Sequence, residues 1–301
     1  MTQGLVVNAD DLGVSRGATL GIVEAHRRGI VTSASLAVTT PFYEHALTNC
    51  VNACPELGVG LHFTLTSGRP VSPVSDVPLL VNEAGFFRWR FVSLLRSMTV
   101  GRHAALLEQI ELELEAQLQR IIKDGIRADH IDGERHVHLI PGILEAVIAA
   151  AARHVVPFVR CGDDLGPGLM EARQAPQLLG NGGMAKSWLL GALTSRARKQ
   201  FNTTVTTANH FASYLYSGRP ELFLKRFFDR PQEPGVTELM VHPGLPEESL
   251  GLALGNRDVE RYLASQDRKL ELDLCVEARA WAGAFRLTTF AKLAQERGMP
   301  S

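Results

Sequence analysis

GLVVNADDLGVSRGATLGIVEAHRRGIVTSASL, from Gly4 to Leu36, is the stretch whose reading decides the fold. Gly4–Asn8 is a short apolar run that leads into the acids Asp10 and Asp11, and it reads as a buried strand. Gly17–Gly29 has helical spacing and stops on a glycine, and Ser33–Thr39 is a second short strand. A strand, a helix and a strand in so few residues form a βαβ unit, which joins parallel strands.

The alternation continues outward. Tyr43–Ala53 reads as a second helix and Gly58–Leu65 as a third strand, and the Pro- and Gly-rich run from Thr66 to Phe87 reads as a long loop. Ala104–Asp124 is the clearest helix: Leu107, Ile110, Leu114, Leu118 and Ile121 recur at helical spacing, and Gly125 ends the pattern. Its acids Glu108, Glu111, Glu113 and Glu115 are expected on a solvated face. Asp129–Asp132 is a strand, Gly142–Arg153 a helix and Val156–Cys161 a strand. From Asp163 repeated Gly and Pro break the rhythm, and an insertion or lid is expected over about 163–217. Thr237–Val241 resumes as a strand, Val259–Glu277 is a helix, and Phe285–Thr288 is a last strand before a terminal helix. About seven parallel strands with interleaved helices predict an α/β fold, an irregular (β/α) barrel in a single domain over residues 1–301. No GxGxxG or Walker loop is present to suggest a nucleotide-binding sheet.

Composition narrows the function. Hydrophobic residues are 45% and charged residues 21% of 301, ordinary for a soluble globular protein. Lys+Arg 31 against Asp+Glu 32 leaves a net charge of -1, so no global field recruits nucleic acid or an anionic membrane. Cys50, Cys54, Cys161 and Cys275 form no CxxC pair and read as reduced thiols, which favours a cytoplasmic location. MTQGLVVNADD lacks a basic n-region and reads as a strand rather than a signal peptide. No apolar stretch approaches the ~18 residues of a membrane span.

In parallel α/β folds functional residues gather at the C-terminal ends of strands. The first strand ends in Asp10-Asp11, the third contains His62, the fourth runs into His130-Ile131-Asp132-Gly133-Glu134-Arg135-His136-Val137-His138, and a late strand ends in His242-Pro243-Gly244. Adjacent carboxylates repel each other, and a bound cation resolves that repulsion. Carboxylates and imidazoles together are the usual ligand set for a hydrolytic metal. One carboxylate can ligate while its neighbour accepts a proton from water.

These motifs resemble those of the YdjC family of carbohydrate deacetylases. The resemblance is carried by NADDLG at Asn8–Gly13, GIVTSASL at Gly29–Leu36, GLHFTLTSGRP at Gly60–Pro70, HIDGERHVHLIP at His130–Pro141 and VHPG at Val241–Gly244. Within the family the chain most resembles the hopanoid-biosynthesis-associated branch; the chitooligosaccharide deacetylase branch shares the same motifs. The resemblance implies an irregular (β/α) barrel and one divalent cation, Mg2+, Mn2+ or Zn2+. It puts the metal on Asp11 and His62. The third ligand departs from the family pattern: Glu134 stands where a histidine is usual, with His136 or His138 as substitutes. A carboxylate there hardens the site and shifts preference from zinc toward magnesium or manganese.

On this reading Asp10 is the base and His242 the acid that protonates the leaving amine. His136, His138 and Arg160 are candidates for orienting a ligand or touching substrate. The implied substrate is an N-acetylated amino sugar carried on a hopanoid lipid, with peripheral contact to the inner membrane and a homodimer both compatible with it. A metal-dependent phosphoesterase and a metal-dependent sugar- or lipid-binding protein are the rival classes. Met184, Trp188, Leu189, Leu190 and Leu193, with Arg88-Trp89-Arg90-Phe91, are expected to flank the mouth of the site.

Overall fold

A computed structural model describes residues 4–100, 103–165, 183–201, 204–213, 220–231, 233–247 and 253–299. The first strand, β1 (Gly4–Leu12), lies at the centre of a wholly parallel sheet, between β2 (Ser33–Leu36) and β8 (Val236–Val241). The full order is β5-β4-β3-β2-β1-β8-β7-β6, with β3 at Gly58–Phe63, β4 at His130–Gly133, β5 at Phe158–Val159, β6 at Asp163–Asp164 and β7 at His210–Ser213. The two ends of that order, β5 and β6, belong to one stretch of chain. Its first part pairs with β4 and its second with β7. Counted once, this bent strand makes seven, and the sheet curls into the irregular barrel expected from the sequence.

Residues facing the barrel interior stack in layers, as they must when side chains alternate along every strand. Val6, Phe158 and Val236 close the N-terminal end against Phe290 and Leu293 of the last helix, Phe290–Glu296. Above them comes a polar layer: Asn8 donates to Ser35 Oγ at 2.7 Å, and Ser35 lies 3.0 Å from Nε2 of His130. Gly60 fits only because it has no side chain; a Cβ there would come 2.3 Å from the His130 ring.

Outside the barrel, α1 (Arg16–Arg28) is capped by Ser15 and buries Ile22, Val23 and Ala25 against the sheet. The second helix is shorter than expected: Tyr43–Ala46 runs into a wide π turn at Leu47–Val51. After α3 (Phe91–Thr99) comes α4 (Ala104–Lys123), with Ile110, Leu114, Leu118 and Ile121 buried as predicted. Glu113 overturns part of the expectation for this helix. It is fully buried, and its carboxylate accepts the backbone N–H groups of Val71 and Ser72 and the amide of Gln117. The long loop needs partners for its backbone donors, and Glu113 supplies them.

The remaining helices are α5 (Ile143–Arg153), α6 (Gly183–Ala197), α7 (Pro220–Asp229), α8 (Arg257–Leu263), α9 (Asp267–Glu277) and α10 (Phe290–Glu296). Of the stretch expected to leave the barrel rhythm, 166–182, 202–203 and 214–217 lie outside the described residues; the described part contains α6 and the sheet strand β7. The helix expected over Val259–Glu277 is two, Arg257–Leu263 and Asp267–Glu277, and in the turn between them Ser265 Oγ accepts the N–H of Asp267. The strand expected at Phe285–Thr288 is a single bridge between Leu287 and Leu5. Among the described residues no helix is long and apolar enough to cross a membrane.

Candidate functional site

Adjacent residues on a flat strand point to opposite faces, so Asp10 and Asp11 share a cavity only if β1 bends. It does. The register between β1 and β2 shifts between Ala9 and Leu12, and Asp11 sits at φ 71, in the left-handed region. Both carboxylates line a cavity of about 230 Å³ with His62, Glu134, His242 and Tyr262. Helix α8 forms one wall. Its cap Asn256 accepts from the N–H of Asp258 and Val259 and donates to the carbonyl of Thr66, tying the helix across the mouth.

Each aspartate is held by its own arginine. Arg160 grips both oxygens of Asp10, at 2.7 and 2.6 Å. It also reaches Asp132 at 2.7 Å and Glu238 at 2.7 Å, so one guanidinium ties three strands. Arg268, fully buried on α9, donates to Oδ2 of Asp11 at 2.8 Å. Burial alone would raise the pKa of Asp11; the Arg268 guanidinium foremost, with the imidazoles of His242 and His62, outweighs it and holds the carboxyl below its usual value. Guanidinium groups thus answer the repulsion that the sequence assigned to a cation.

His62 is oriented from behind. Its Nδ1 lies 2.7 Å from Oδ1 of Asp132, which leaves Nε2 facing the cavity, 3.7 Å from Oδ1 of Asp11. A ring nitrogen held by a carboxylate while the other is presented forward is the usual arrangement of a metal-binding histidine. Burial works against a charged ring, but Asp132, Asp10 and Asp11 raise the His62 pKa to about 9.

The buried Asp10, His62 and Asp132 could hold a metal ion: one donor atom of each lies within 4.8 Å of the others. The guanidinium of Arg160 already lies between Asp10 and Asp132, however, and Ser35 donates to Asp132 at 2.8 Å. The donors left facing the cavity are Nε2 of His62 and the free oxygen of Asp11. Their separation is near the roughly 3.4 Å between two ligands on one tetrahedral cation.

The turn Glu134–Leu139 carries the remaining candidates. Arg135 and His136 both have left-handed backbones, at φ 53 and 62. Two consecutive non-glycine residues there cost about 1–3 kcal/mol each and persist only where the surroundings hold them. The result is that Glu134 and His136 both line the cavity, and Thr66 Oγ1 donates to the Glu134 carboxylate. His136 also borders a smaller pocket of about 30 Å³, beside Arg160, Phe211 and Leu190 of α6. His138 is absent from both linings. Its Nε2 meets the carbonyl of Arg160 at 3.0 Å, and burial pushes its pKa down to about 4, so it fixes the arginine's backbone from outside the cavity.

His242 lines the cavity and packs edge-on against Tyr262 at 6.1 Å. Burial lowers its pKa against the pull of Asp10 and Asp11. Its backbone N–H donates to Glu271 of α9. Arg268 and Glu271 were invisible as site residues in the sequence, where they sit on a helix far from any motif. Asp132 had a signal, its place inside the histidine-rich motif, but no role attached to it.

An all-parallel barrel with carboxylates, imidazoles and a cavity at the C-terminal ends of its strands has the layout of an α/β-barrel enzyme. The family model described as YdjC-like protein matches residues 4–281, and the chain belongs to that family. It is 36% identical to a carbohydrate deacetylase of Brevibacillus brevis over 246 residues, covering 82% of this chain and 83% of that one. It is 41% identical to a chitooligosaccharide deacetylase of Proteus mirabilis over 159 residues, 52% of this chain and 59% of the relative. A crystal structure from Enterococcus faecalis V583 matches with a TM-score of 0.73 and 24% identity, covering 97% of this chain and 99% of that one; it bears on the fold alone.

Proposed function

We propose that the protein is a metal-dependent N-deacetylase, hydrolysing the acetamide of an N-acetylated amino sugar to acetate and a free amine. One observation carries the reading: Nε2 of His62 faces Oδ1 of Asp11 at 3.7 Å in a cavity shared with a second carboxylate, Asp10, and a second imidazole, His242. The names of the relatives support it. A divalent cation on Asp11, His62 and Glu134 would polarise the acetyl carbonyl and acidify the attacking water. Asp10 takes the water proton, and Arg160, which grips both of its oxygens, fixes its direction. His242 gives a proton to the leaving amine. With two carboxylates and one imidazole the donor set favours Mg2+ or Mn2+ over Zn2+.

The finer reading is a sugar on a hopanoid lipid, and it rests on the resemblance to that branch. Helices α3 and α6 both pack on the Glu134–Leu139 turn. They present Val92, 71% exposed, and Trp188, 77% exposed, and Arg88 and Arg90, just before α3, are exposed as well. Apolar tips with basic flanks suit a lipid–water interface. Leu189 and Leu190 of α6 are partly buried against the core instead. The Met184 side chain lies outside the described residues. A soluble chitooligosaccharide is the alternative substrate.

Acetate release from a soluble N-acetyl sugar and from the same sugar on a long alkyl chain tests both levels. Trp188→Ser should lower turnover of the lipid-like substrate several-fold and leave the soluble one and the melting temperature unchanged. Equal turnover of both substrates by this variant would remove the lipid reading, and no acetate from either would remove the deacetylase reading.

A further inference from the structure

His242 is required to give up a proton, yet its surroundings disfavour its holding one. Asp10 and Asp11 of β1 face it and would favour the charged ring; burial, Arg268 of α9 and Arg160 next to β5 oppose that, and the net effect is a lowered pKa. Tyr262 of α8 closes the remaining side. Behind the ring lies Glu271, one helical turn after Arg268 on the same face of α9. Its side chain is 3% exposed. One carboxyl oxygen accepts the backbone N–H of His242 and lies 3.7 Å from Nδ1 of the ring. That Nδ1 is buried with no hydrogen-bond partner. Tyr262 Oη is 3.4 Å from the other oxygen. Among the described residues no Lys or Arg pairs with Glu271, since the bonded nitrogen of Arg268 goes to Asp11. A buried carboxyl without a cation retains its proton, and burial pushes this one well above the usual carboxylate range.

We propose that Glu271 is the positioning residue and proton reservoir of His242, keeping on its carboxyl the proton that replaces the one His242 gives to the leaving amine. The inference rests on His242 being the acid of the deacetylation proposed above. At rest the ring carries its hydrogen on Nε2, toward the cavity, and Nδ1 offers a lone pair toward Glu271. As the C–N bond breaks, its electron pair stays on nitrogen, which takes the Nε2 proton. Nδ1 takes the Glu271 proton. The ring ends neutral in its other tautomer and Glu271 ends as a carboxylate, recharged later from water through the ring. A small swing of the ring closes the 3.7 Å gap.

The test compares two probes on the metal-loaded enzyme: octyl N-acetyl-glucosaminide, an amide whose amine must be protonated, and 4-nitrophenyl acetate, whose leaving group needs no proton. Glu271→Gln keeps the shape and the acceptor for the His242 backbone but has no proton to give. It should lose about 10²-fold in kcat on the amide with KM unchanged, and less than about threefold on the ester. The alkaline limb of its amide kcat profile should move to lower pH, since the ring must then hold its own proton. Unchanged amide turnover, or equal losses on both probes with the limb in place, overturns the proposal. His242→Asn separates the two readings. If His242→Asn spares the amide, the acid assignment itself is wrong. If it shows the amide-selective loss and Glu271→Gln does not, only the reservoir is wrong. Should Glu271→Gln fail to fold, Glu271→Asp takes its place: its shorter side chain widens the 3.7 Å gap to Nδ1, so an amide-selective loss with the alkaline limb displaced to lower pH supports the reservoir, and wild-type amide turnover with the limb in place overturns it.

Discussion

Asp10 and Asp11 are neighbours in sequence but have different partners, and the partners divide their roles. Asp10 is gripped on both oxygens by Arg160, which leaves little room for a cation. Asp11 gives one oxygen to Arg268 and turns the other toward Nε2 of His62. Asp11→Asn should therefore lower metal content and activity together. Asp10→Asn should keep the metal and lose about 10²–10⁴-fold in turnover, the scale of a lost general base. Glu134→Ala should also release metal on dialysis, whereas His138→Ala should retain it, because His138 bonds the Arg160 carbonyl outside the cavity. Elemental analysis of the dialysed variants decides. Full metal in Glu134→Ala with loss in His136→Ala would move the third ligand to His136.

At the scale of elements, α4 has two tasks. Its apolar stripe, Ile110, Leu114, Leu118 and Ile121, packs on the barrel and was plain from the spacing. Its polar pair, Glu113 and Gln117, holds the chain after β3: Gln117 exchanges hydrogen bonds with both backbone groups of Thr64, and Glu113 takes the N–H groups of Val71 and Ser72. That chain carries Thr66, which donates to Glu134. Glu113→Ala should cost about 1–3 kcal/mol for each backbone donor left bare, and should raise KM by loosening the Thr66 wall. Burial raises the Glu113 pKa although the N–H groups of Val71 and Ser72 and the Gln117 amide oppose it. The folded state then binds the Glu113 proton more tightly than the unfolded chain, so this group's contribution falls as pH rises through and above 4.5, its ordinary value. Urea midpoints of wild type and Glu113→Gln across that range check the sign.

Over the whole molecule, Arg160 is the tie that lets a barrel keep charges in its interior. It joins Asp10 of β1, Asp132 of β4 and Glu238 of β8. Removing it strands buried carboxylates, so Arg160→Met should cost about 3–5 kcal/mol. Arg160→Lys should not restore the loss, because an ammonium cannot reproduce the bidentate grip on Asp10. Asp132 carries the matching pH dependence. Burial opposes its charge, but Arg160 first, then His62 and His130, hold its pKa well below 3.8. Its stabilisation is present above that ordinary value and is lost as pH falls below it. The wild type should therefore weaken steeply in acid, and Asp132→Asn should give a flatter stability curve there. Chemical denaturation at several pH values measures both.

The sequence by itself determined the barrel. Its apolar runs alternate with helical spacing, and covering helices bury parallel strands on both faces, which makes such runs readable without partners. It also marked the strand ends that carry Asp10, Asp11, His62, Glu134 and His242, because chemistry at those ends departs from the apolar pattern around it. Only the tertiary structure decided how these residues are used. The β1 bulge that turns two adjacent carboxylates into one cavity and the inward Glu113 both depend on distant partners. So do the arginines: the residue separation between Arg268 and Asp11 is 257, and between Arg160 and Asp10 it is 150. Local spacing reports which face of an element is apolar. It carries no information about which charge from another element will meet a buried group, and in a low-dielectric interior that meeting decides whether a carboxylate ligates, accepts a proton or keeps one.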